Sequence, residues 1–71
     1  MRENSAYIII YAYRLNENEE IVLGKSKSAN MFVTWLCRNQ TDYYWGHYTE
    51  DEITALEDMV NRIKAEVRKD G

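Results

Sequence analysis

The sequence contains no proline, three glycines and a single cysteine, Cys37. Without proline there is no fixed kink and no stiff extended linker. One cysteine excludes an internal disulfide and matches a reducing compartment. Cys37 and the only histidine, His47, stand ten residues apart with no CxxC or HxxxH pair around them. Zinc needs three or four protein ligands, usually in short paired spacings, so no metal and no cofactor are expected. Long hydrophobic runs are also missing. The longest uncharged apolar stretch, residues 6–13, falls far short of the ~20 residues of a membrane-spanning helix. With no basic leader ahead of it, the reading is a soluble, cytoplasmic chain that makes no use of a membrane. An excess of basic charge is absent too. The formal net charge is −3, and residues 1–49 balance five basic side chains against five acidic ones. Nucleic-acid binders draw most of their affinity from phosphate neutralisation, which this balance does not favour.

What the chain does have is large aromatic side chains on short β-favouring segments. Seventy-one residues make one domain, 1–71. A chain of this size buries only about 60% of its unfolded surface, so a partner subunit is an obvious source of extra stability. Residues 1–5 read as a polar tail, and residues 6–48 as an antiparallel sheet. Residues 6–15 and 20–24 form one hairpin around the polar loop Asn16–Glu19. Residues 31–38 and 41–48 form a second, turning at Asn39-Gln40. Residues 49–69 read as a C-terminal helix. Thr49-Glu50-Asp51-Glu52 has capping-box spacing, with Tyr48 and Ile53 placed as a hydrophobic staple. Ile53, Leu56, Met59, Val60, Ile63 and Val67 then recur at helical spacing. Glu57, Asp58, Asn61, Lys64 and Arg68 lie on the solvated side, and Gly71 ends the chain. The expected fold class is α+β: a four-stranded antiparallel sheet with one helix across one face (β-β-β-β-α).

A two-residue turn at Asn39-Gln40 sets Cys37 opposite Asp42 and Trp35 opposite Tyr44. The staple then puts Met31, Val33, Trp35, Cys37, Tyr44, Gly46 and Tyr48 under the helix, with Ala6, Ile8, Ile10 and Ala12 from the first strand. One face remains uncovered and rich in aromatics. The candidate interaction residues on it are Tyr7, Tyr11, Tyr13, Phe32, Leu36, Tyr43, Trp45 and His47. An open patch of this kind exceeds what monomers usually expose, although a tyrosine tolerates a half-wet surface.

Other chemical motifs are weak. Gly24-Lys25-Ser26 lacks the upstream glycine of a phosphate loop, since Glu19 stands in its place. Glu50-Asp51-Glu52 is accounted for by helix capping and has no calcium-loop spacing. No nucleophile, base and orienting group assemble, so no enzyme and no catalytic residue is expected. Asn39-Gln40-Thr41 matches a glycosylation site only in a secreted protein.

The pattern of residues 31–63 resembles a group of small uncharacterised proteins of Gram-positive bacteria and their phages or mobile elements. It is carried by Val33-Thr34-Trp35, by Tyr44-Trp45-Gly46-His47-Tyr48, and by Ala55, Asp58, Met59 and Arg62. Met59 stands where the pattern has an aromatic residue. The resemblance implies a hairpin and helix acting as a unit and a phage or mobile-element origin, and brings no activity with it.

The functional expectation is a non-enzymatic protein–protein interaction module, either a homodimer or a modulator of a host protein. The alternatives are single-stranded nucleic-acid binding on the aromatic face, or a small molecule held between sheet and helix by Trp35, Trp45 and His47.

Overall fold

The computed structural model describes residues 1–69. Gly71, which ends the chain, lies outside the described residues. Five antiparallel strands run in sequence order as a meander: β1 (Glu3–Asn4), β2 (Tyr7–Arg14), β3 (Glu19–Ser26), β4 (Phe32–Arg38) and β5 (Asp42–Thr49). Helix α1 (Glu52–Lys69) follows and lies over β3, β4 and β5. The antiparallel sheet with one C-terminal helix is as expected, but it has five strands rather than four. The extra strand falls in what read as a polar tail. Glu3 and Asn4 pair with Ile8 and Tyr7, and Ser5 turns the chain at a φ of 55°. Two residues without apolar alternation leave no periodic signal to read.

The first hairpin closes as an Asx turn: the Asn16 Oδ1 accepts hydrogen bonds from the amides of Asn18 and Glu19. The second hairpin differs from the reading. Arg38 pairs with Asp42, so the loop is Asn39-Gln40-Thr41, with φ of 54° and 62° at its first two residues. That extra loop residue sets Cys37 opposite Tyr43 and Leu36 opposite Tyr44. A slip of one residue moves side chains between faces.

The helix covers the other side of the sheet from the one expected, because the staple on which that assignment rested does not form. Ile21, Leu23, Phe32 and Leu36 form a core with Ala55 and Met59 beneath α1, joined by Leu15, Leu56 and Ile63. The inward line of the helix runs through Ala55 and Met59, while Ile53, Val60 and Val67 are exposed. The apolar stripe is thus rotated relative to the one read from spacing, and Asp58 faces the sheet. The helix cap also moves. Asp51, the residue before α1, accepts from both the amide and the hydroxyl of Thr54 at 2.9 and 2.7 Å. Tyr48 packs with Trp35 and Tyr7 on the far side of the sheet, so it is not available to staple Ile53.

That far side is not left open. Val22, Val33, Trp35 and Cys37 form a second core, flanked by Tyr7, Ile9 and Tyr43. Trp35 is only 6% exposed. The rings of Tyr43, Tyr7 and Tyr48 surround it at centroid distances of 5.3, 5.6 and 6.4 Å, two of them close to perpendicular, geometries that favour aromatic pairs. Arg2 reaches across from the N-terminus to Glu20, with Nη1–Oε2 and Nη2–Oε1 separations of 3.1 and 3.0 Å. The expectation of a whole uncovered face is overturned: tyrosine rings and the Arg2–Glu20 pair close it within one chain.

Candidate functional site

The most exposed aromatic side chain among the described residues is Trp45, 65% exposed in the edge strand β5. Register shifts between Thr34–His47 and Leu36–Tyr44, so Trp45 and Gly46 together oppose Trp35 in a β-bulge. Trp45 has a φ of 53°, the left-handed region usually filled by glycine in such bulges. A bulky side chain there stores on the order of 1–3 kcal/mol of strain. Gly46 is the next residue because nothing larger fits: a Cβ would stand 2.8 Å from Trp35 Nε1 and 2.9 Å from the Tyr48 ring.

The strained peptide is held from the helix. Arg62 Nη1 donates to the Trp45 carbonyl at 2.8 Å, to the Thr34 carbonyl at 3.0 Å and to the Thr34 hydroxyl at 3.1 Å. The fully buried Thr34 hydroxyl in turn donates to Asp58 Oδ2. His47 Nδ1 stands 2.9 Å from the same oxygen. Burial acts to raise the Asp58 pKa, but the hydrogen bonds of Thr34 and His47 and the charges of His47 and Arg62 outweigh it and hold the carboxyl below its ordinary value. Burial lowers the Arg62 pKa, with Asp58 and Glu66 opposing. Thr34, Trp45, His47, Asp58 and Arg62 thus form one network that ties α1, β4 and β5 together at the bulge. All five belong to the pattern quoted for residues 31–63.

Beside the bulge, the Tyr44 ring lies 5.6 Å from that of Trp45. The Arg38 guanidinium stands 5.3 Å from the Tyr44 centroid and is oriented by Glu19 through a 2.8 Å hydrogen bond. An exposed tryptophan, a tyrosine and an arginine therefore share one patch.

The eight residues expected on one face are distributed over several places. Tyr7 and Tyr43 wall the second core, whereas Phe32 and Leu36 are buried beneath the helix. Tyr11 and Tyr13 pair with Leu23 and Ile21, on the helix side but beyond the strands that the helix covers. An extra residue at Ile10 in β2 separates them from Tyr7 and Ile9. Trp45 and His47 come together at the bulge. Trp35 and His47 lie on opposite faces, so the ligand pocket imagined between them does not form. The cavity beside His47, lined also by Tyr48, Thr49, Thr54, Ala55 and Asp58, holds about 120 Å³, against the ~300 Å³ at the lower end for ligand sites. Arg62 and Asp58 were missed as site residues. The available signal was phase: Arg62 follows Ala55 and Met59 on the line of the helix that points into the sheet.

Among the described residues no helix is long and apolar enough to cross a membrane. No known protein family, curated protein or solved structure matches this chain.

Proposed function

We propose that this chain is a non-enzymatic protein-interaction module whose anchor is Trp45. The observation that carries the reading is an exposed tryptophan in a strained left-handed conformation whose carbonyl is held by a half-buried arginine. A merely structural bulge at this position would be served better by glycine. Strain retained at a surface position is a reason to look for function there. Tryptophan, tyrosine and arginine are also the residue types that most often dominate binding energy at interfaces; Trp45 and Tyr44 on edge strand β5 and Arg38 at the end of neighbouring β4 supply all three.

The test compares partner capture by the wild-type chain and by Trp45→Gly. Proteins retained by the first and lost by the second are purified and titrated. The expected loss of affinity is at least ~30-fold, corresponding to about 2 kcal/mol for an anchor residue. Equal binding by both chains would remove the proposal. A second reading rests on the same stack: Tyr44, Trp45 and Arg38 could also receive an unpaired base. Salt-sensitive quenching of Trp45 fluorescence by single-stranded oligonucleotides would favour it. The acidic net charge argues against it.

A further inference from the structure

We infer that a second copy of this chain adds to the opposite edge of the sheet, pairing residues 10–14 of β2 antiparallel with the same residues of its partner. This goes beyond the Trp45 reading, because it concerns the other edge and a different set of residues.

Strand β1 is two residues long and pairs with Tyr7 and Ile8, and the Ile9 amide donates to the Arg2 carbonyl just before it at 2.9 Å. From Ile10 to Arg14, β2 has β3 on one side and, among the described residues, no strand on the other. The five exposed residues there are Ile10, Tyr11, Ala12, Tyr13 and Arg14. Natural sheets usually protect such an edge with proline, inward charge or a bulge. The bulge in β2 stands at Ile10, where this segment begins, and the three residues after it, Tyr11, Ala12 and Tyr13, carry no charge. The β5 edge is treated differently, with the Trp45 bulge in its middle and Asp42 and His47 along it.

A two-fold axis through Ala12 sets Tyr11 opposite the partner's Tyr13, and Tyr13 opposite the partner's Tyr11. Cross-strand aromatic pairs of this kind stabilise antiparallel ladders. Arg14 falls opposite the partner's Ile10, so no like charges meet, and like-charge opposition is the usual electrostatic obstacle to self-pairing.

The helix completes the surface. Asp58 marks the flank of α1 toward β5. Leu56 and Ile63, on the other flank, pack into the core containing β3 residues. By helical phase the exposed Val60 and Val67 lie beyond them, toward β2. Tyr11 and Tyr13, 46% and 48% exposed, stand on the same side of the sheet. Together with Ile10 these side chains expose on the order of 500 Å². The strand edge and its rim bring this to the lower end of specific interfaces, about 600 Å² per partner. Two copies related in this way form a continuous ten-stranded sheet with both helices on one side and the four tyrosines between them. The two Trp45 patches then lie at its far ends.

The test introduces Ala12→Cys, which the symmetry places against its own copy. Directly opposed residues have Cα separations of ~4.5–5.5 Å, within the range a disulfide spans. Native Cys37 is fully buried. In a glutathione redox buffer the variant should form a covalent dimer at least tenfold faster than Thr41→Cys at an exposed hairpin tip. Sedimentation should give twice the 8.5 kDa chain mass for the wild type. Tyr11→Lys with Tyr13→Lys should weaken association at least tenfold without changing the circular dichroism, and Trp45→Gly should leave it intact. A wild-type monomer at millimolar concentration would overturn the inference, as would cross-linking no faster than the Thr41 control. A dimer dissociated by Trp45→Gly but not by the tyrosine substitutions would also overturn it, while leaving the Trp45 proposal standing.

Discussion

Replacing Arg62 by methionine removes the guanidinium and keeps most of the apolar stem. Three hydrogen bonds go with it, to the Trp45 carbonyl and to the carbonyl and hydroxyl of Thr34. Hydrogen bonds from charged donors contribute ~1.5–3 kcal/mol each. Here they share one nitrogen, and removing Arg62 also returns the cost of burying it, which its lowered pKa records. The expected net loss is therefore about 2–4 kcal/mol. A 71-residue domain has a total stability of roughly 4–10 kcal/mol, so that loss is a large fraction of it. Urea unfolding of both chains, followed by circular dichroism, measures the difference. Arg62→Lys separates geometry from charge: a lysine keeps the charge but lacks the longer stem and rigid guanidinium plane that hold Nη1 between two strands, and it should recover less than half of the loss. Amide exchange at Trp45 and Gly46 should accelerate in both variants relative to β3. A methionine variant within about 0.5 kcal/mol of wild type would refute the reasoning, as would full rescue by lysine.

Four further outcomes follow from the same contacts. Trp45→Gly should be at least as stable as wild type, because glycine removes the cost of a positive φ, whereas Trp35→Ala should lose about 3–5 kcal/mol from the second core; thermal melts compare the two. Gly46→Ala should cost ~1–3 kcal/mol by overpacking against Trp35 and Tyr48, read by urea midpoint. Asp51→Ala should lose ~0.5–2 kcal/mol as the helix cap, and Thr49→Ala less, again by urea unfolding. Asp58 has a folded-state pKa below its unfolded value, so the stability it contributes is present above the unfolded pKa, about 3.9, and is lost as pH falls through the folded value; in melts between neutral and acid pH, Asp58→Asn should show a shallower decline.

The architecture was largely legible because hairpin and helix signals are local. The Asn16 turn, the Asn39 turn and the helical spacing after Thr49 each announce an element within a few residues. What could not be read was parity. One extra residue in the second loop and one bulge in each of β2 and β5 shift side chains between faces, and none leaves a composition signal. Trp45 illustrates why: its left-handed φ breaks the residue preference that would normally mark a bulge. The helix phase failed for a related reason. Arg62 occupies an inward position that a hydrophobic count assigns to solvent, and Val60 and Val67 occupy outward ones that it assigns to the core. The closure of the second face was equally hidden, since it depends on Tyr7, Tyr43 and Tyr48 converging on Trp35 from different strands. Trp45 was placed on the uncovered face from the assumed register of the second hairpin, and the structure adds the hydrogen bonds that hold its peptide.

The most direct measurement is the dissociation constant of a captured partner for wild type and Trp45→Gly, taken with the urea midpoint of each chain. An unchanged or higher midpoint with at least ~30-fold weaker binding is expected if Trp45 serves recognition rather than folding. A fall in the midpoint by several kcal/mol equivalents, or unaltered binding, would contradict that account.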